Sequence, residues 1–148
     1  MATIHFDGER VLAALRRLEK ACADQSPALL EIGEYLVEST KQRFVSGIGP
    51  DGTPWPENSP VTIERKGRNQ PLVGGGTLNQ QIEKELVGSN ILEIGSSMQY
   101  AAMQHFGGTK DEFPWLWGNI PERPFLGISE DDEAEILATI EDQLLSVL

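Results

Sequence analysis

The segment Gly47-Ile48-Gly49-Pro50-Asp51-Gly52-Thr53-Pro54-Trp55-Pro56-Glu57-Asn58-Ser59-Pro60 limits the fold more than any other part of the chain, with four prolines and three glycines in fourteen residues. Proline lacks the backbone donor and has a set φ, so neither a helix nor a central strand can run through it. Pro50-Asp51-Gly52 is a turn for a chemical reason. Proline presets one central angle, aspartate hydrogen-bonds the backbone ahead of it, and glycine accepts a positive φ. Trp55, held between Pro54 and Pro56, has little freedom left to lose. It reads equally as a plug at the core edge or as an anchor for a partner.

Upstream of this break the pattern is helical. Val11, Leu12, Leu15, Leu18 and Cys22 recur at three and four on one stripe of a helix from Arg10 to Ala23, which would bury Cys22 as a small side chain. Ser26 as cap and Pro27 at the first helical position start a longer helix. Ile32, Tyr35, Leu36, Ser39, Thr40 and Phe44 carry it to Val45.

Downstream the elements are shorter. Val61 to Gln70 is basic, with a helical turn starting near Ser59 or Thr62. Gly74-Gly75-Gly76-Thr77 lacks the lysine and the preceding strand of a phosphate loop, and serves as punctuation before a short helix from Leu78 to Gln81. Ile82 to Val87 and Ile91 to Gly95, joined by Gly88-Ser89-Asn90, form a hairpin. Ile82, Leu86, Leu92 and Ile94 face inward and Glu83, Glu85 and Glu93 face water, with Lys84 interrupting the alternation. Tyr100 to Phe106 is a short helix that Gly107 ends in a left-handed cap. Asp111 to Asn119 is a loop or edge strand, and in extended form it sets Phe113, Trp115 and Trp117 on one side. Ser129 and Asp132 make a Ser-x-x-Asp box, with Glu130, Asp131 and Glu133 at the positive helix end. Ile136, Leu137, Ile140, Leu144 and Val147 form the apolar stripe of that last helix. The sum is an α+β fold in one domain over residues 1–148: two N-terminal helices and a C-terminal helix packed on a small, mainly antiparallel sheet, with long Pro/Gly-rich loops.

Charge narrows the partners. The formal net charge is −11, and residues 101–148 hold ten acids against two bases. Such a field repels nucleic acid and anionic membranes, so neither a sequence-specific nucleic acid nor a membrane is an expected partner, although Arg65-Lys66-Gly67-Arg68 forms a local basic patch. The apolar runs are far shorter than a bilayer needs, and the N-terminus has no basic region followed by an apolar core, which points to a cytosolic product. One cysteine allows no internal disulfide. His5 and His105 are the only imidazoles, and the chain has no metal-site spacing and no Gly-x-Ser-x-Gly elbow. The expectation is no enzyme, no catalytic residue, no metal and no cofactor; the rival reading is a small hydrolase or toxin using His105 with a carboxylate such as Asp111.

What remains is a stretch built for contact, from Tyr100 to Gly127, in which aromatic residues sit among glycines and prolines. In order, Arg43-Phe44, the Asp51-Gly52-x-x-Trp55 loop with Ser59-Pro60 and Lys66, Gly76-Thr77-Leu78, Gly95, Tyr100-Ala101, His105-Phe106-Gly107 and Ile120-Pro121-Glu122-Arg123-Pro124-Phe125-Leu126-Gly127 resemble the bacteriophage virion morphogenesis family, the tail-completion proteins of Mu-like and P2-like phages. The resemblance spans most of the chain. It implies a non-enzymatic part at the junction of head and tail, completing or terminating the tail or joining it to the neck. It also implies a ring of identical subunits, six by the symmetry of phage tails, bound to the tail tube and to neck or head-completion proteins. The place of such a protein is the virion, and the host cytoplasm during assembly. A head-side neck protein is the alternative. The candidate contact residues are Trp55, Tyr100, His105, Phe106, Trp115, Trp117, Arg123, Pro124 and Phe125. Arg123 is placed either to pair with a neighbour's carboxylate or to make an internal salt bridge that pins the loop to its own domain. Trp115-Leu116-Trp117 lies outside the family pattern.

Overall fold

A computed structural model describes residues 1–72 and 77–148, with Thr77 by its backbone alone. The Gly74-Gly75-Gly76 punctuation lies outside the described residues. The elements in order are α1 (Glu9–Ala23), α2 (Ser26–Ser46), α3 (Pro60–Lys66), α4 (Thr77–Gln80), β1 (Glu83–Val87), β2 (Ile91–Gly95), α5 (Ala101–Phe106) and α6 (Glu130–Ser146). The described residues thus form an α+β fold with a two-stranded antiparallel sheet.

The centre of the fold is α2. It buries Ala28, Ile32, Gly33, Leu36, Thr40, Arg43 and Phe44, a stripe at helical spacing wide enough to be covered from two sides. The hairpin packs on one side and α6 on the other, and α1 meets α6. The three long helices therefore form successive layers, and the extensive packing on the sheet is that of α2. Gly33 lets the hairpin close on the helix. A Cβ there would lie 2.9 Å from Lys84 Cδ and 3.1 Å from Leu92 Cδ1.

Four local expectations change. Lys84 does not interrupt the hairpin pattern: the register pairs Lys84 with Ile94 and Leu86 with Leu92, so its stem lies inward over α2 while its ammonium reaches Glu34. A long aliphatic stem with a charge at its tip can serve both environments. Ser26 is the first helical residue of α2, not its cap. The cap position is Gln25, which makes no side-chain cap bond, and the Asp24 carboxylate before it takes the Ser26 N–H at 3.0 Å and its hydroxyl at 2.6 Å. Cys22 is exposed, because α1 buries no residue at all and of its stripe only Leu18 is even half-buried. Leu137 is exposed too, one position past Ile136 and off the buried side of α6.

Other signals are realised as read. Ser59 accepts from the Thr62 N–H at the start of α3, and Ser129 and Asp132 form both halves of the capping box of α6. The core cluster unites Phe44, Trp55, Leu78, Ile82, Ala101 and Phe125. Phe44 lies at its middle, with the Trp55 ring 5.6 Å away edge-on and the Phe125 ring 5.5 Å away.

Candidate functional site

The proline-rich segment over residues 120–127 has no regular secondary structure apart from an isolated bridge at Ile120, yet α2, α5 and the first proline-rich segment all bond to it. Proline leaves such a strap short of its own donors, so its carbonyls are open to side chains. The Arg43 guanidinium donates to Phe125 O at 2.7 Å, and the Trp55 indole N–H donates to Pro124 O at 2.8 Å. The Arg123 N–H donates to Gln104 O at 3.0 Å. In return Arg123 reaches across to the first break in the chain, donating from Nε to Pro56 O and from Nη2 to Glu57 O, each at 2.8 Å. The two proline-rich segments are thereby laced to each other and to the end of α2.

Beneath the strap lies a buried ion pair. Arg43 is on the inward stripe of α2, and its Nη2 meets Asp132 of α6. Asp132 also accepts from the Ser39 hydroxyl and from the Ser129 N–H. Burial pushes the Asp132 carboxyl up, but the Ser129 N–H, the Ser39 and Ser129 hydroxyls and Arg43 together outweigh it and hold the group below its ordinary value. Burial is the main influence on Arg43 and draws it down, opposed by Asp132. Such a pair does not raise stability much by itself, but it ties α2 to α6, since neither buried charge can be left alone without a large cost.

His105 and Gly107 set the other border. The His105 Nδ1 lies 3.4 Å from the backbone N–H groups of both Phe125 and Leu126, which calls for a neutral ring with its proton on Nε2. Burial lowers its pKa, partly offset by Glu122. The ring also packs edge-on to Phe106 and Phe125. The hydrogen bonds of its ring are thus with the strap. Gly107 ends α5 at φ 71, ψ −178, outside the left-handed cap region in ψ. Its glycine has a steric reason instead: a Cβ would sit 2.7 Å from both Glu122 N and Ile120 O.

From this frame a loop projects. The bridge between Gly108 and Ile120 closes residues 109–119 at the neck, and Lys110 N–H to Asn119 Oδ1 at 2.8 Å braces it. The loop is made of turns and bends rather than an edge strand, because Pro114 and Gly118 interrupt any extended run. The strand alternation that would set all three rings on one side is therefore absent. Phe113 is half-buried and stacks edge-on with Trp115 at 5.2 Å, while Trp115 is 71% exposed and Trp117 wholly exposed.

The nine residues singled out from the sequence thus divide. Trp55, Arg123 and Phe125 are buried in their own chain, Pro124 of the strap and His105 of α5 are half-buried, and Tyr100, Phe106, Trp115 and Trp117 face outward. Of the two readings of Arg123 the structure takes the inward one, with carbonyls rather than a carboxylate as partners. The Arg43–Asp132 pair was not picked out from the sequence as a unit. Its signal was there in an arginine on the apolar stripe of α2, where a cation requires a buried partner. Among the described residues no group of three or more His, Cys, Asp or Glu could hold a metal ion, and no helix is long and apolar enough to cross a membrane.

A profile of the phage virion morphogenesis family matches residues 6–145. The chain belongs to this family. It is similar to the "Mu-like prophage FluMu G protein 2" of Haemophilus influenzae, 31% identical over 136 residues that cover 92% of this chain and 90% of the relative. It is also similar to the "Putative capsid assembly protein G" of Escherichia phage Mu, 29% identical over 152 residues that cover 98% and 95%. No solved structure matches the chain. Membership of a virion morphogenesis family makes this a structural assembly protein associated with the virion.

Proposed function

We propose that this virion morphogenesis protein acts at the junction of head and tail, as a ring of copies, six by tail symmetry, that completes or terminates the tail and joins it to the neck. It works without catalysis or a cofactor, and its partners are further copies of itself, the tail tube and a neck or head-completion protein. The observation that carries the reading is the projecting loop. Trp115 and Trp117 are held out on a base laced by Arg43, Trp55 and Arg123, so the loop loses little entropy on docking. Large exposed aromatic rings on a rigid support are the side chains that anchor interfaces. Tyr100 and Phe106 extend that surface, while Trp55, His105, Arg123, Pro124 and Phe125 support it from within.

The test is complementation. A prophage carrying Trp115→Ser and Trp117→Ser in this protein is induced, and the lysate is viewed by negative stain. Tail-side action leaves filled heads beside unattached tails of irregular length, and adding purified wild-type protein restores joined particles. A normal yield of infectious particles would overturn the reading. The name of the phage Mu relative supports a head-side alternative, in which the same variant would leave normal tails beside defective heads. His105→Gln addresses catalysis: an assembly part keeps its particle yield, whereas a hydrolase would lose turnover with its fold intact.

A further inference from the structure

Helix α1 is amphipathic but has almost nothing to cover it. It buries no residue, and it is held by its C-terminal part, where Arg17 Nε donates to Val147 O at 2.7 Å. Val11, Leu12 and Leu15 remain exposed, Leu15 at 54%. The spacing of Val11, Leu15, Leu18 and Cys22 is four, three, four, the repeat of a helix seam made for another helix. Leu18 is half-buried and the other three are exposed, and a seam left so largely uncovered on a folded protein marks a contact surface.

Charge identifies the occupant. Between Glu9 and Ala23 there are four bases and two acids, whereas α6 carries seven acids and no base. On its outer side α6 exposes Leu137, at 60%, and Leu145, beside Glu141 and Asp142. Pairing one α1 with another would set like charges side by side. Pairing α1 with the outer side of α6 brings opposite charges and two apolar strips together, and the α6 of the same chain already meets α1 elsewhere. We infer that α1 of one copy docks on the outer face of α6 of the next copy, a head-to-tail contact. This rests on the self-assembly proposed above and names its surfaces. One face of each copy engages a different face of its neighbour, the geometry that closes rings.

The experiment uses full-length protein with Leu15→Asp or Leu137→Asp. Both side chains lie outside the core, so circular dichroism should show both variants folded. Sedimentation velocity across a concentration series is expected to show wild-type oligomers that dissociate as sodium chloride is raised. Each variant should have its dissociation constant raised by more than about tenfold. A 1:1 mixture of the variants should form a dimer and stop there, since it holds one intact α1 and one intact α6 that still match. If Leu15→Asp dissociates the oligomer and Leu137→Asp does not, α1 docks elsewhere and the inference falls. If neither has an effect on a wild-type oligomer, the inference falls and self-assembly stands. If the wild type is monomeric throughout, both fall.

Discussion

Asp132→Asn removes one charge from the buried pair and almost nothing else. Asp132 is 1% exposed and its partner Arg43 6%. The asparagine still offers an oxygen to the Ser129 N–H and keeps the shape of the site. What it loses is the counter-ion of a guanidinium that cannot reach water, and breaking such a pair costs about 3–5 kcal/mol. Arg43 retains its bond to Phe125 O, so the lower end, about 3 kcal/mol, is expected. For a chain of this size that is a Tm lower by roughly 6–12 °C. The effect must depend on pH. The folded pKa of Asp132 is depressed, so its contribution is present above the unfolded carboxylate value and is lost as pH falls through the folded one. Urea unfolding at neutral pH and in acid should show the wild type and the variant converging in acid. Adding Arg43→Met removes the stranded cation, and the double variant should recover most of the loss. A loss below about 1 kcal/mol, or one unchanged by pH, would refute the idea that an uncompensated charge is the cause.

Three further outcomes follow from the strap. Gly107→Ala places a Cβ against backbone atoms of Glu122 and Ile120 that cannot move aside, and urea unfolding should show a loss of at least about 2 kcal/mol; Gly67→Ala, equally positive in φ but with open space, should lose only about 1 kcal/mol. His105 has a lowered folded pKa, so the stability it supplies is full above its unfolded value of about 6.5 and is lost as pH falls below that. His105→Gln should flatten the stability profile between neutral and mildly acidic pH. Phe125→Ala removes a ring packed on Phe44 and His105 and should cost about 3–5 kcal/mol in the same assay.

The strap explains how an assembly surface can be rigid without regular secondary structure. A loop that must meet partners at a set angle gains from order already present before docking. Here the order comes from three side chains, Arg43, Trp55 and Arg123, whose donors end on carbonyls of the two proline-rich segments. The half-buried cleft beside it, about 600 Å³ and lined by Asn58, Lys66, Tyr100, Gln104 and Arg123, shares this frame. Burial, with repulsion from Arg68 and Arg123, lowers the Lys66 pKa there.

Much of the fold was legible because its signals are local. A cap, a proline at the start of a helix and a hairpin turn each act within a few residues, so Ser59, Pro60, Ser129 with Asp132, and the Glu83–Val87 and Ile91–Gly95 strands could be read from neighbours alone. The family could also be read this way, since the order of the proline-rich motifs survives along the chain. Two of the departures, Cys22 and Leu137, come from stripes taken as covered: periodicity shows that α1 and α6 are amphipathic, but not which of their apolar positions has something lying against it. Others, at Lys84, Ser26 and Gly107, turn on where a flexible stem, a neighbouring carboxylate or a facing backbone lies.

Only the tertiary structure decided which candidate residues are buried and which are offered to partners. Trp55 and Trp117 look alike in sequence, aromatic and in loops among prolines and glycines, yet one donates to a carbonyl 69 residues away and the other meets solvent. Arg43 finds Asp132 across 89 residues, and Arg123 finds Pro56 across 67. Such partners are joined by the packing of α2 between the hairpin and α6, a three-dimensional arrangement. The sequence alone determined where the chain must turn and where helices begin; the desolvation of polar groups in the folded interior determined which of them had to meet.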